Sequence, residues 1–308
     1  MRRTAAFILA AAVMITMLTS CGRVRSDENE GDERLRVVAT IFPQYDFVRA
    51  VAGDRVSLTM LVSPGSESHT YEPSIRDIVD VIGADLFIYT GGDIDPWAEA
   101  LAETAEDSGV MSISVMDAIE TSEHEHTHDD GDEHGEEHVW TSPANAILIL
   151  DYITDALCAL DPDGAEIYRA NADEYGARIA ALGDELSEIS RKAAGKTVVV
   201  ADRFPFDSLF SDYGIEHAEA LGGCAVGEEP SAAVVGELIG LVTEQNITHV
   251  FYIEFSERKI ADLISEATGC GTLLLHSCHN VDADDFERGV TYLQLMERNV
   301  QNLREVLS

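Results

Sequence analysis

The sequence predicts an α/β protein of two lobes joined by one long helix. Two stretches, 35–160 and 195–308, each alternate short apolar runs with amphipathic segments of helical period, and a charged stretch with few helix breakers separates them. In the first lobe, Leu35–Ile41 has the apolar density of a buried strand, and Pro43–Tyr45 turns out of it into a helix ending near Gly53. Val56–Val62 is a second strand, stopped at Pro64 and Gly65. Ser74–Ile82 carries apolar residues at 75, 78, 79 and 82, the three-four spacing of one helix face. Ala84–Tyr89 is a short buried strand, Trp97–Glu106 a helix and Val110–Val115 a strand, which together read as parallel sheet covered by helices.

Residues 120–138 break that rhythm with nine acidic residues and five histidines and nothing apolar to join a core. Pro143 starts a helix through Ile147, Leu148 and Leu150 toward Leu160. Asp161 and Pro162 then start the connecting segment 161–194, read as a helix over Ala165–Lys192 that lies along both lobes rather than within a core. The second lobe is expected to hold strands at Thr197–Ala201, Ile215–Ala220, Val250–Ile253 and Thr272–His276. Its helices are expected around Ser208–Ser211, at Ser231–Glu244 and Arg258–Thr268, and at Tyr292–Leu307.

The first 20 residues have the parts of a secretion signal: Arg2 and Arg3, an apolar run from Ala5 to Leu18, and small residues at Thr19 and Ser20. The run is shorter than the roughly 20 residues that span a bilayer. Cleavage there leaves Cys21 first, followed by a charged tether over 21–34. With 57 acidic against 20 basic residues, the formal charge is −37, which makes nucleic acid a poor partner. Beyond Cys21 stand Cys158, Cys224, Cys270 and Cys278, which allow three complete pairings or free thiols, and spacing does not choose among them.

Histidine and carboxylate at strand ends are the residues that can carry chemistry here. His69 lies in the loop Pro64-Gly-Ser-Glu-Ser-His-Thr-Tyr-Glu-Pro73, after a strand, where sheets of this class hold ligands. His138 closes the acidic tract, Asp202 follows the strand Thr197–Ala201, and His276 and His279 flank Cys278 after the strand beginning at Thr272. Imidazole and carboxylate suit Zn(II) or Mn(II), and loops of two lobes can bring them together in a cleft. Within the tract, His124, His126, His128 and His134 alternate with carboxylates and form an auxiliary, weakly binding metal loop. His124–His128 and His134–His138 also match the H-E-x-x-H and H-x-x-E-H zinc-protease patterns. Those patterns work only on a stable helix, and Asp129, Asp130, Gly131, Asp132 and Gly135 supply no apolar helix face. No Gly-rich phosphate loop, redox C-x-x-C or G-x-S-x-G elbow is found.

In the Pro64–Pro73 stretch, His138-Val-Trp-Thr-Ser-Pro143, Glu229-Pro-Ser231 and Tyr292–Leu303, the chain resembles the solute-binding lipoproteins of zinc and manganese ABC importers, and the histidine-rich insertion resembles their zinc-specific branch. Leu18-Thr-Ser-Cys21 resembles the lipobox, which implies lipidation at Cys21 and a place at the bacterial extracytoplasmic membrane surface. The resemblance implies two Rossmann-like lobes, a rigid connecting helix and a metal site between the lobes. It further implies a monomer that delivers zinc to a membrane ABC permease with a cytoplasmic ATPase. His69 and His138 correspond to family ligands. Asp202 stands where relatives place a third ligand, and His279, with His276 as the alternative, falls in the region of the fourth. Zn(II) is the implied cargo, with Mn(II) as the alternative. A manganese transport component and a lipid-anchored zinc metalloenzyme are the competing readings.

Overall fold

The computed structural model describes residues 34–92, 95–123, 138–223, 227 and 229–308. Cys21 and the histidines at 124, 126, 128 and 134 lie outside the described residues. Two four-stranded parallel sheets organise the chain. The first takes β1 (Leu35–Ala39), β2 (Val56–Met60), β3 (Leu86–Tyr89) and β4 (Met111–Ser114) in the order β2-β1-β3-β4. The second takes β5 (Val198–Phe204), β6 (His217–Gly222), β7 (His249–Tyr252) and β8 (Gly271–Leu274) in the order β6-β5-β7-β8. The identical order gives each sheet a switch point beside its first strand, and the loops leaving the strand ends there are the natural ligand sites.

Helices α1 (Phe42–Ala52), α2 (Ile75–Ile82), α3 (Pro96–Asp107) and α4 (Val115–Glu123) serve the first sheet, α4 occupying a stretch the sequence left without an element. Two long helices follow, α5 (Pro143–Leu160) and α6 (Ala165–Lys192). By length and composition α5 could cross a membrane, but Ala146, Ile149, Leu150, Ile153 and Leu157 are buried in the main core. The long helix α6 is also more than an external strut. Tyr168, Ala172, Tyr175, Ile179, Leu182, Leu186 and Ile189 recur at three- and four-residue steps and are all buried, so one face of α6 belongs to the core. The second lobe adds α7 (Asp207–Tyr213), α8 (Ala232–Gln245), α9 (Lys259–Thr268), the short α10 (Ala283–Glu287) and the terminal α11 (Tyr292–Leu307). Cys158, Cys270 and Cys278 are free and buried.

The amphipathic spacing of 75–82 has an unexpected outcome. Ile75 is 83% exposed, Ile78, Val79 and Ile82 are also exposed, and α2 buries Val81 instead. Periodicity identifies an apolar face but not the side on which the rest of the fold stands.

One buried carboxylate ties the layers together. Asp46 on α1 is 1% exposed and accepts from Arg49 Nε at 2.9 Å, Tyr175 Oη at 2.8 Å and the Tyr292 backbone N–H at 2.7 Å. Those donors come from α1, α6 and α11. Burial pushes the Asp46 carboxyl above its ordinary range, while Arg49 and the donors from Tyr292 and Tyr175 pull it down. Because removing one partner leaves buried polar groups unpaired, Asp46→Ala is expected to lower stability by about 3–5 kcal/mol and Tyr175→Phe by about 1–2 kcal/mol. Urea unfolding followed by circular dichroism measures both.

Candidate metal centre

Three histidines from distant parts of the chain converge at the strand ends. His69 stands in the loop between β2 and α2, His138 directly precedes the single helical turn Val139–Thr141 that leads into α5, and His279 follows β8. One ligand nitrogen from each lies within 4.8 Å of the other two. Ring centroids are 5.6 Å apart for His69 and His138, 4.8 Å for His69 and His279, and 5.3 Å for His138 and His279. His138 and His279 are buried, and His69 is half-buried.

Local chemistry fixes each ring. Gly65 adopts a φ of 79°, a left-handed conformation suited to glycine, and its N–H donates to Val281 O at 2.7 Å across the lobes. Asn280 donates from Nδ2 to Ser63 O at 2.8 Å and to Ser66 O at 2.9 Å, clamping the His69 loop to the His279 loop. Trp140 donates from its indole to Ser277 O at 2.9 Å and lies 5.3 Å from His138 and 5.5 Å from His279, centroid to centroid. The Trp140 carbonyl in turn accepts from Tyr292 Oη at 2.7 Å. Ser68 Oγ shares a hydrogen bond with His279 Nε2.

The electrostatics keep these imidazoles neutral. Burial lowers all three; His138, which also feels His69 and Arg203, falls to about 3, and His279 is held well below the ordinary imidazole value. A neutral imidazole costs little to bury and is the form that ligates a metal. His69 Nε2 is buried without a hydrogen-bond partner, which marks it as a donor atom waiting on something other than protein.

Asp202 and His276 have other partners. β5 runs on through Asp202 to Phe204, and its pairing with β6 slips between Val200 and Arg203. Such a bulge re-aims the side chains beside it. Asp202 Oδ1 accepts from the Arg203 backbone N–H at 2.9 Å and Oδ2 from the Ser256 hydroxyl, so this carboxylate braces the Ser256 turn and is not in the three-histidine group. Arg203, not Asp202, lines the cavity that holds His69 and His279. His276 Nδ1 accepts from the Cys278 N–H at 2.9 Å, and Asn299 brackets the His276 backbone, donating to its carbonyl at 2.7 Å and accepting from its N–H at 2.8 Å. That ring serves the turn around Cys278, whose φ is 61°.

Sequence reasoning missed Arg203, Ser68, Trp140 and Asn280. Ser68 and Trp140 lay inside the stretches singled out, but nothing in the sequence announced a bulge in β5.

A family described as "ZnuA: Zinc-uptake complex component A periplasmic" matches residues 37–306. The chain belongs to this family. It is 30% identical over 306 residues to the zinc-binding lipoprotein AdcA of Streptococcus pneumoniae serotype 4 (strain ATCC BAA-334 / TIGR4), an alignment covering 97% of this chain and 60% of that one. It is 26% identical over 309 residues to the high-affinity zinc uptake system protein ZnuA of Bacillus subtilis (strain 168), covering 98% and 96%. The crystal structure of the Zn(II)-bound ZnuA-like domain of Streptococcus pneumoniae AdcA superposes with a TM-score of 0.73 at 29% identity, covering 89% of this chain and 99% of that one. The chain thus spans about 60% of the length of the curated AdcA relative and nearly all of its ZnuA-like domain.

The Asn280 clamp is open to test. Asn280→Ala removes two part-buried hydrogen bonds to the Ser63 and Ser66 carbonyls, each worth about 0.5–1.5 kcal/mol, and is expected to cost about 1–3 kcal/mol. Asn280→Asp, which faces a carboxylate toward the same carbonyls, is expected to cost more, with both variants measured by urea unfolding.

Proposed function

We propose that this protein captures zinc outside the cytoplasm, at the membrane surface, and delivers it to an ABC permease with a cytoplasmic ATPase. Membership in an uptake-complex family makes it a transport component rather than an enzyme. The observation that carries the reading is the convergence of His69, His138 and His279, with ligand nitrogens within 4.8 Å of one another and burial favouring the neutral form. Zinc takes imidazole nitrogen readily in a four-coordinate tetrahedral shell, with no demand from its filled d shell for another geometry. Manganese is better served by carboxylate and water, and the gathered ligand atoms are nitrogens. That difference favours zinc as cargo.

We assign His69, His138 and His279 as ligands and leave Asp202 and His276 to their structural duties. The tract 124–137 acts as a weak auxiliary collector through His124, His126, His128 and His134. Cys21 carries the lipid, after removal of 1–20, and 21–34 is the tether. The lobes span 35–160 and 195–308, with 161–194 between them, and the protein works as a monomer.

Two measurements test this assignment. In protein lacking 124–137, calorimetry is expected to find one tight zinc. Because even outer-shell partners of a metal ligand are worth roughly 10–100-fold in affinity, His69→Ala, His138→Ala and His279→Ala are each expected to lose at least about 100-fold, while Asp202→Ala and His276→Ala, if folded, stay near the parent value. Loss at Asp202 with affinity kept at His279 would reject the assignment. Separately, Trp140 sits against His138 and His279 while Trp97 lies against Tyr71, so zinc should change the fluorescence of Trp97→Phe protein and leave that of Trp140→Phe protein almost unmoved. A zinc response surviving in Trp140→Phe would place the ion elsewhere.

A further inference from the structure

Arg203 is a cation built into a site for cations. Its side chain is only 15% exposed, and it lines the same small cavity as Glu67, Ser68, His69 and His279. The β5 bulge presents it there. Its Nη1 lies 3.3 Å from Glu67 Oε2, on the loop that carries His69. Two carboxylates line this cavity, Glu67 and Glu254. Glu254 is committed to Ser277, accepting from its backbone N–H at 2.9 Å and from its hydroxyl. Glu67 is committed to Arg203, through an ion pair 29% exposed on the carboxylate side.

Three neutral imidazoles leave a dication its full charge and leave one position of a tetrahedral shell to another donor. A carboxylate two residues from a ligand, in a loop turning at Gly65, is the nearest chemical match. We propose that Glu67 and Arg203 are an exchangeable pair: Glu67 passes its carboxylate from the guanidinium to zinc as fourth ligand, and the uncovered charge of Arg203 then favours release. This rests on the zinc reading above. The Arg203 charge is felt at all three rings, lowering His69, His138 and His279, while Glu67 opposes it at His69. Asp202, tied to Ser256, cannot take either part without giving up its own hydroxyl partner.

A transport component must surrender its cargo, and a shell of three imidazoles and a carboxylate without an opposing charge would do so slowly. At an effective dielectric of about 20, a guanidinium and a dication anywhere within roughly 10 Å of each other repel by more than a tenfold step in affinity.

The test is zinc affinity by chelator competition, and zinc dissociation by stopped flow, on the full exported chain. Glu67→Gln is expected to weaken zinc by at least about tenfold and Arg203→Gln to tighten it by at least about tenfold with slower dissociation. Arg203→Lys, which keeps the charge, should stay closer to the parent than Arg203→Gln does. Unchanged affinity in Glu67→Gln, with water then completing the shell, overturns the proposal, as does weaker zinc in a folded Arg203→Gln. Should Arg203→Gln fail to fold, Glu67→Gln alone decides. A parent chain without tight zinc would sink the zinc reading itself, whereas tight parental zinc with the variants in the wrong order sinks only the pair.

Discussion

The architecture depends on a carboxylate that almost never meets water. Asp46 gathers Arg49, Tyr175 and the Tyr292 N–H, and so joins a helix of the first lobe to the long helix and the terminal helix. An ionised carboxylate in such a place is costly unless every lone pair is used, and here the donors reach it from three elements that are distant in sequence. The network continues outward. Tyr292 Oη holds the Trp140 carbonyl, and the Trp140 indole holds Ser277 O, two residues before His279. The site therefore inherits its rigidity from the junction of the lobes, because the same contacts that join them also aim the rings.

Neutral imidazole is what allows the centre to sit so deep. A cluster of carboxylates at this depth would repel itself and take up protons, whereas His138 and His279 lose little by burial because it favours the form that binds metal. Uncharged hydrogen bonds, from the Gly65 backbone N–H and the Asn280 side-chain amide, then hold the loops together. Position and a neutral protonation state are thus favoured by the fold itself, which is the preorganisation that the proposed ligand role of these rings calls for.

Much of this was legible in the sequence, for a physical reason. Apolar runs such as Val37–Ala39 and Val198–Ala201 are buried on both faces of a parallel sheet, so composition marks them. His69 and His138 stand in loops bounded by Pro and Gly, and local chemistry identifies such loops. Asp202 shows where legibility ends. The pairing of β5 with β6 slips between Val200 and Arg203, and such a slip changes which side chain faces the cavity in a way that strand periodicity does not reveal. The different surroundings of His276 and His279 were equally invisible, because the His276 ring is taken up by the Cys278 N–H and its backbone by Asn299 of the terminal helix. The face of α2 makes the same point for packing: Ile75 and Val79 repeat as a core would, yet only Val81 finds one.

Charge works at two ranges in this molecule, strongly negative over the whole chain and nearly balanced inside the cavity. The full sequence carries a formal charge of −37, and such an acidic balance gives a field that raises the local concentration of divalent cations but fades within roughly 8–10 Å at ordinary ionic strength. Such a field draws zinc, manganese, calcium and magnesium alike, since it reads charge and not chemistry. Choice has to come from the ligands, and three imidazoles favour zinc over the harder ions. Inside the cavity two carboxylates, Glu67 and Glu254, face one guanidinium, Arg203, and the pairing of Glu67 with Arg203 leaves little net charge to prefer one cation over another. On the reading proposed above, the acidic surface collects broadly and the imidazoles choose, because nitrogen ligation rather than net charge separates zinc from the harder ions.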